Sequence, residues 1–282
     1  MQADVLVNGK QTDSISVSDR GLQYGDGVWE TIAVREGKPQ YLKTHLKRLI
    51  LGCQALNISL PDLTVLNVEI KQLADTVKKH AVLKVIITRG LGGRGYRSNN
   101  SSFTTSTTAT TRIISLHPWG DHIADYQKRG IDLQLCQTRL AYNPQLAGFK
   151  HLNRLEQVLA SAELSDDKQE GLMRDFNDNI IEGTMSNVFV LSQDNNIKTP
   201  RLDDETGCGI KGIMRQIAID WLIANNYKVS EEPLKLDDVL NAQGIFMTNS
   251  IIGLWAVKSF ESKTYTLPDF VPQFNAFLDS DR

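Results

Sequence analysis

Runs of β-type residues broken by turn signals recur along this chain, and they make sheet the frame of whatever it folds into. Asn8-Gly9 splits ADVLVNGKQ, with SISVSDRG continuing the alternation, and Glu36-Gly37-Lys38 separates VWETIAVR from PQYL. Asn177-Asp178-Asn179 separates GLMRDF from IIEGTMSNVFVLS, and Asp194-Asn195-Asn196 precedes IKTPRL. Asparagine and glycine tolerate the left-handed backbone of a tight turn, so each break predicts strand–turn–strand. VLKVIIT, TRIISLHP, IDLQLCQ, GIFMTNS and GLWAVKSF add strands, with WGDHIADY as the connection to a new sheet beginning near Ile131.

Between these runs the period lengthens to that of a helix. Leu42, Leu46, Leu49, Ile50, Cys53 and Leu56 form one apolar stripe, and Leu66, Ile70, Leu73 and Val77 a second. Ile213, Ile217, Ala218, Trp221 and Leu222 form a third, and VPQFNAFL reads as a closing helix. The chain has 282 residues, enough for one large or two modest domains with real cores. A net charge of −2 gives no electrostatic case for nucleic acid or an anionic membrane. No stretch approaches a membrane span, and Met1 to Lys10 lacks a charged region followed by an apolar run. Cys53, Cys136 and Cys208 are scattered and odd in number, which fits reduced thiols in a cytoplasmic protein.

The chemistry centres on NPQLAGFKHLNRLEQVLA. Pro144 and Gly148 bring the chain to Lys150 as a loop, and Leu152, Leu155, Val158, Leu159 and Ala162 then recur at helical spacing, which predicts a packed helix. A loop lysine by itself is ordinarily a solvated charge. Three stretches change its meaning. Glu182 ends a strand beside Gly183, Thr184 and Ser186, where a carboxylate can hold a cationic ring nitrogen. Gly207, Gly209 and Gly212 lead into the helix of Ile213, so close backbone approach and unpaired amides make an anion site. Thr248, Asn249 and Ser250 follow an apolar strand and offer a second cradle for phosphate oxygens. Taken singly these are a surface acid, a helix entry and a polar turn. A lysine, an acid and two anion cradles together meet the requirements of pyridoxal 5′-phosphate.

Two glycine-rich stretches call for different readings. Gly90, Gly92 and Gly95 in RGLGGRGYR match G-x-G-x-x-G after a strand. A dinucleotide site needs a helix to follow, and here SNNSSFTTSTTATT follows, without apolar period, so the nucleotide reading fails. A mobile loop carrying Arg94 and Arg97 over a site for an acidic substrate fits better. Gly25-Asp26-Gly27 suggests either a bend where backbone approaches a ligand or a simple bulge.

The order of YGDGVWET, LKVIITRGLGGRGY, NPQLAGFKHLNRLEQVL, IIEGTMSNVF and GIMRQ resembles the fold-type IV pyridoxal-phosphate enzymes over nearly the whole chain. That family includes branched-chain and D-amino-acid aminotransferases and aminodeoxychorismate lyases. The RGLGGRGY loop and the AGFKHLNRLEQVL block resemble the lyase branch in particular. The resemblance implies an α+β fold of two domains, 1–119 and 120–282. The first would be a small sheet with two helices. The second would be a larger, β-barrel-like domain carrying Lys150, with the cofactor between the two.

It also implies roles for individual residues. Lys150 would bond the cofactor and Glu182 would pair with its ring nitrogen. Arg48, Ile213, Met214, Asn249 and Ser250 would hold its phosphate, and Asn187 of the IIEGTMSNVF block would belong to the cofactor site. Tyr24 and Trp29 would line the substrate pocket with Arg94 and Arg97. Arg154 stands where the aminotransferases carry a tyrosine near the ring hydroxyl. The implied reaction converts 4-amino-4-deoxychorismate to 4-aminobenzoate and pyruvate, towards folate, in a homodimer. An aminotransferase of D- or branched-chain amino acids would use the same lysine, acid and phosphate grip. A non-catalytic small-ligand binding protein with a glycine-rich lid is the alternative outside the family.

Overall fold

The structure is a computed structural model and describes residues 4–97 and 110–280. The Ser/Thr run over 98–109, read above as aperiodic, lies outside the described residues. The chain divides into two compact units, one of Met1–Trp119 with Phe149–Asn153, the other of Gly120–Gly148 with Arg154–Arg282.

In the first unit β1 (Val5–Val7) and β2 (Lys10–Gln11) form the hairpin expected at Asn8-Gly9, both of which have positive φ. SISVS contributes no strand. The chain instead enters a short helix, α1 (Arg20–Tyr24), capped by the Asp19 carboxylate. Then come β3 (Gly27–Arg35), β4 (Lys38–Pro39), α2 (Leu42–Ala55), α3 (Leu63–Ala74), β5 (His80–Thr88) and β6 (Thr111–Pro118). The six strands order as β2-β1-β6-β5-β3-β4. α2 and α3 bury Leu49, Cys53, Leu66, Ile70 and Leu73 against Ile32, Val34, Leu83 and Val85 of the sheet. Burial of that kind stabilises by about 25 cal/mol per Å² of apolar surface.

Residues 149–153 belong to this unit through backbone bonds to the start of β3. Trp29 N–H donates to the Lys150 carbonyl at 3.0 Å, and Leu152 N–H donates to the Gly27 carbonyl at 3.0 Å. A Cβ at Gly27 would lie 2.7 Å from Leu152, so glycine there permits the approach. At Gly25-Asp26-Gly27, read from sequence as a bend towards a ligand or a simple bulge, the backbone meets the chain's own lysine segment. The lysine groups with the first unit, whereas the sequence reading carried it in the second.

The second unit runs α4 (Ile123–Arg129), β7 (Ile131–Leu140), α5 (Leu155–Ala162), β8 (Glu170–Asp175), β9 (Asn179–Gly183) and β10 (Asn187–Leu191). It continues with β11 (Asn196–Thr199), α6 (Ile213–Ala224), β12 (Lys228–Glu231), β13 (Leu234–Lys235) and α7 (Leu236–Leu240). β14 (Gly244–Asn249), β15 (Gly253–Phe260), β16 (Lys263–Thr264) and α8 (Phe270–Ser280) complete it. Its ten strands form a single sheet in the order β12-β11-β10-β14-β15-β7-β8-β9-β13, with β16 on β15. IIEGTMSNVFVLS is two strands, not one, because residues 184–186 turn sharply between β9 and β10.

The helix after Lys150 forms as α5, but its apolar stripe is not packed. Leu155, Val158 and Leu159 are 76%, 60% and 59% exposed, and Gln157 and Ala160 face the interior instead. Periodicity identifies an amphipathic helix without saying what covers its apolar side.

Candidate active site

In the first unit Trp29 stands beside Lys150. Its Nζ lies 3.7 Å from the centre of the Trp29 ring, and Trp29 Nε1–H donates to the His151 carbonyl at 3.1 Å. A cation over the face of an indole is an attractive arrangement, so Trp29 both seats the lysine segment and steadies its ammonium group. Arg48, on α2, sends Nε and Nη2 to the two carboxylate oxygens of Glu30 at 2.7 and 2.6 Å. His45 Nδ1 lies 2.6 Å from Glu30 Oε2. Burial raises the Glu30 carboxyl's affinity for a proton, yet the Arg48 charge and the His45 contact outweigh it and hold its pKa below the usual carboxylate value. Burial pushes His45 down, and the charges of Arg48 and Lys150 push the same way. Glu30 and His45 were not among the residues expected from sequence. Their signal is weak, since an acid in a strand and a histidine in a helix carry no motif until the fold joins them.

The glycine loop is held rather than loose over Gly90–Tyr96. Arg20 donates to the carbonyls of Gly95 and Tyr96 at 3.0 and 2.9 Å while its Nε binds Asp26 at 2.9 Å. Asp26 also receives two nitrogens of Arg89. The Tyr24 hydroxyl accepts from Gly95 N–H at 3.1 Å, and its ring meets that of Tyr96 edge-on at 5.6 Å. Tyr24, expected in the substrate pocket, thus anchors the loop that carries Arg94 and Arg97. Those two arginines are exposed. The stretch after Arg97, where a dinucleotide site would need its helix, lies outside the described residues.

The second unit gathers the remaining candidates. Glu182, 3% exposed at the end of β9, accepts from Ile210 N–H at 2.8 Å and from Gln157 Nε2 at 3.2 Å. Arg154 is pulled below its ordinary pKa by burial, against the charges of Glu182 and Glu156, which work to keep it protonated. Asn187 donates to the Ile210 carbonyl at 2.8 Å, so one residue of the GCGIKG loop is bonded on both sides. Gly212 begins α6 without any side-chain cap, and a Cβ there would lie 1.9 Å from Asn187 Oδ1. The side chains of Ile213 and Met214 are buried, leaving their first-turn amides to serve the helix end. Asn249 is committed to its own turn. Its Oδ1 accepts from Ile251 and Ile252, and its Nδ2 donates to the Met185 carbonyl. Ser250 follows it at the head of that turn.

These residues fit pyridoxal phosphate. Thr248 Oγ1 and Gln157 Oε1 are buried hydrogen-bonding atoms without a partner among the described residues. An uncapped helix start beside a glycine that tolerates no side chain suits a phosphate, and the buried Glu182 carboxylate suits a protonated ring nitrogen. No group of acidic, histidine or cysteine side chains among the described residues is arranged to hold a metal.

Known proteins share this frame. The chain is 34% identical over 261 residues to an aminodeoxychorismate lyase of Vibrio harveyi, covering 91% of each chain. It is 29% identical to a putative branched-chain-amino-acid aminotransferase of Methanocaldococcus jannaschii, covering 87% of this chain and 84% of that one. The crystal structure of 4-amino-4-deoxychorismate lyase from Pseudomonas aeruginosa superposes with a TM-score of 0.89 at 35% identity, covering 98% of each chain. Residues 27–260, from the first residue of β3 to the last of β15, match the amino-transferase class IV family, and the chain belongs to it.

Proposed function

We propose that this protein is a pyridoxal-phosphate enzyme that converts 4-amino-4-deoxychorismate to 4-aminobenzoate and pyruvate. The observation that carries the reading is its likeness, at 34–35% identity over more than nine-tenths of the chain, to two proteins of that activity. The cofactor supplies an electron sink for the charge left when a proton is removed beside nitrogen. Lys150 holds the cofactor, takes the proton from the amine-bearing ring carbon, and returns a proton to the departing enolpyruvate. The bond that breaks is the ether link at the neighbouring carbon, and the ring becomes aromatic. Glu182 keeps the ring nitrogen protonated, fixed in place by Ile210 and Gln157. Arg48, the first amides of α6, Asn187, Asn249 and Ser250 serve the cofactor and its phosphate. Trp29 and Tyr24 border the substrate.

The test is release of 4-aminobenzoate from enzymatically generated substrate. An aminotransferase, favoured by the Methanocaldococcus relative, would instead convert its cofactor to the amine form when an amino acid is added. No 4-aminobenzoate and rapid conversion of that kind would replace the lyase reading.

The substrate carries two carboxylates, and we assign them to Arg94 and Arg97, exposed on a loop held by Arg20. Arg94→Ala or Arg97→Ala is expected to lower kcat/KM by about 1.5–3 kcal/mol, the usual worth of a charged hydrogen bond. Cofactor content should not change. Parental kcat/KM in both variants would assign the carboxylates to other groups.

We also propose a cytoplasmic homodimer. The three thiols are buried and free, with Cys53 pushed up to about 11 and Cys136 and Cys208 to about 12, as suits a reducing compartment. No helix among the described residues is long and apolar enough to cross a membrane. Leu155, Val158 and Leu159 present one apolar face of α5 to solvent, and a second copy of the chain would cover it. The double variant Val158→Glu with Leu159→Glu should run as a monomer in light scattering, and a dimer of unchanged affinity would place the interface elsewhere.

A further inference from the structure

We infer that Glu170 is a positioning residue for the cofactor, its buried carboxylate setting the turn from which Glu182, Asn187 and Asn249 take their places. Glu170 opens β8 and is 1% exposed. Its Oε1 accepts from Gly171 N–H at 2.9 Å, Thr184 N–H at 2.9 Å and Thr184 Oγ1 at 2.5 Å. Its Oε2 accepts from Ser186 Oγ at 2.6 Å and Met185 N–H at 3.4 Å. Five neutral donors converge on one carboxylate, and four of them belong to residues 184–186. Dehydrating a carboxylate is costly unless hydrogen bonds replace the lost water, so a buried acid here needs a role beyond filling space. Burial raises the Glu170 pKa, and the donors of Ser186, Thr184 and Gly171 work against it, so the turn's inward-facing groups are what favour its acceptor form.

The turn joins the strand of Glu182 to that of Asn187. Gly183 N–H donates to the Ser186 carbonyl at 2.6 Å, and a Cβ at Gly183 would lie 2.9 Å from Glu170 Cδ, so the carboxylate packs on the residue beside Glu182. The Met185 carbonyl receives Asn249 Nδ2 at 3.1 Å. Asn187 and Glu182 then bind the two sides of Ile210, closing a circuit of hydrogen bonds around the start of α6. Displacing the turn moves at once three residues that the proposed function assigns to the cofactor. Partners one step removed from a bound group commonly change its affinity by about 10–100-fold, although they never touch it.

The inference rests on the reading that Glu182 pairs with the cofactor ring. Apo protein is titrated with pyridoxal 5′-phosphate, and the dissociation constant and the pH dependence of the bound cofactor's absorbance are read together with thermal melting. E170Q is expected to raise the dissociation constant on the order of tenfold and to shift the absorbance midpoint. S186A, which removes one donor and leaves the carboxylate, should move both in the same direction by less. A folded E170Q with parental affinity and spectrum overturns the inference. If E170Q does not fold, parental values in S186A overturn it. E182Q separates the two layers: an unchanged spectrum there ends the ring-partner reading itself, whereas a changed one with a parental E170Q ends only the role of Glu170.

Discussion

Lys150→Ala is expected to lower lyase turnover by at least about 10⁴-fold, the upper end of what a positioned acid–base group contributes. The same side chain is assigned the covalent hold on the cofactor and both proton movements, so nothing else in the chain replaces it. The loss should not come from unfolding. It is the Lys150 carbonyl that accepts from Trp29 N–H, and the carbonyl next to it that accepts from the indole, and alanine keeps both. What alanine removes is the ammonium group over the Trp29 ring. Borohydride treatment of the loaded parent should fix the cofactor on the peptide containing Lys150, and the variant should yield no labelled peptide. A label on another lysine, or turnover within tenfold of the parent, would end the assignment.

How much of this was legible in the sequence follows from how local each signal is. Lys150, Glu182 and the glycines before α6 stand in contiguous blocks, and chemistry that needs a lysine, an acid and an anion cradle picks them out together. α2, α3, α6 and the long strands were legible because their period spans many residues. SISVS misled because five alternating residues fit a strand and a loop equally well. α1 was missed for a similar reason, since five residues are too few to set a helical period. Buried charges with distant partners were invisible. Arg20 grips the carbonyl of Gly95, 75 positions away, and Glu30 on β3 meets Arg48 on α2, beyond the β3–β4 hairpin. Glu170 stands in no motif, and its carboxyl finds its donors only where the chain turns back between β9 and β10. The outward stripe of α5 shows the reverse limit, since a local pattern can be right about the helix and silent about its surroundings.

For Glu182→Gln the expected result is retained cofactor with turnover lowered by about 10²–10³-fold, typical for removing a group that stabilises developing charge. The amide is close in size to the carboxylate and keeps an oxygen for Ile210 N–H, so the circuit through Ile210 and Asn187 survives. What it cannot do is hold a proton on the ring nitrogen, because it carries no charge to pair with it. A second consequence is local. Arg154 is partly buried, and Glu182 is the first of the two acids that keep it protonated, with Glu156 the other. Removing that charge leaves a desolvated guanidinium less well compensated, so the variant should also melt lower than the parent. The two effects separate experimentally. Melting reports the lost partner of Arg154, while the absorbance of the bound cofactor as pH rises reports the ring proton. A variant that melts lower but keeps parental absorbance and turnover would leave Glu182 as a structural counter-charge, and the ring nitrogen would need another partner.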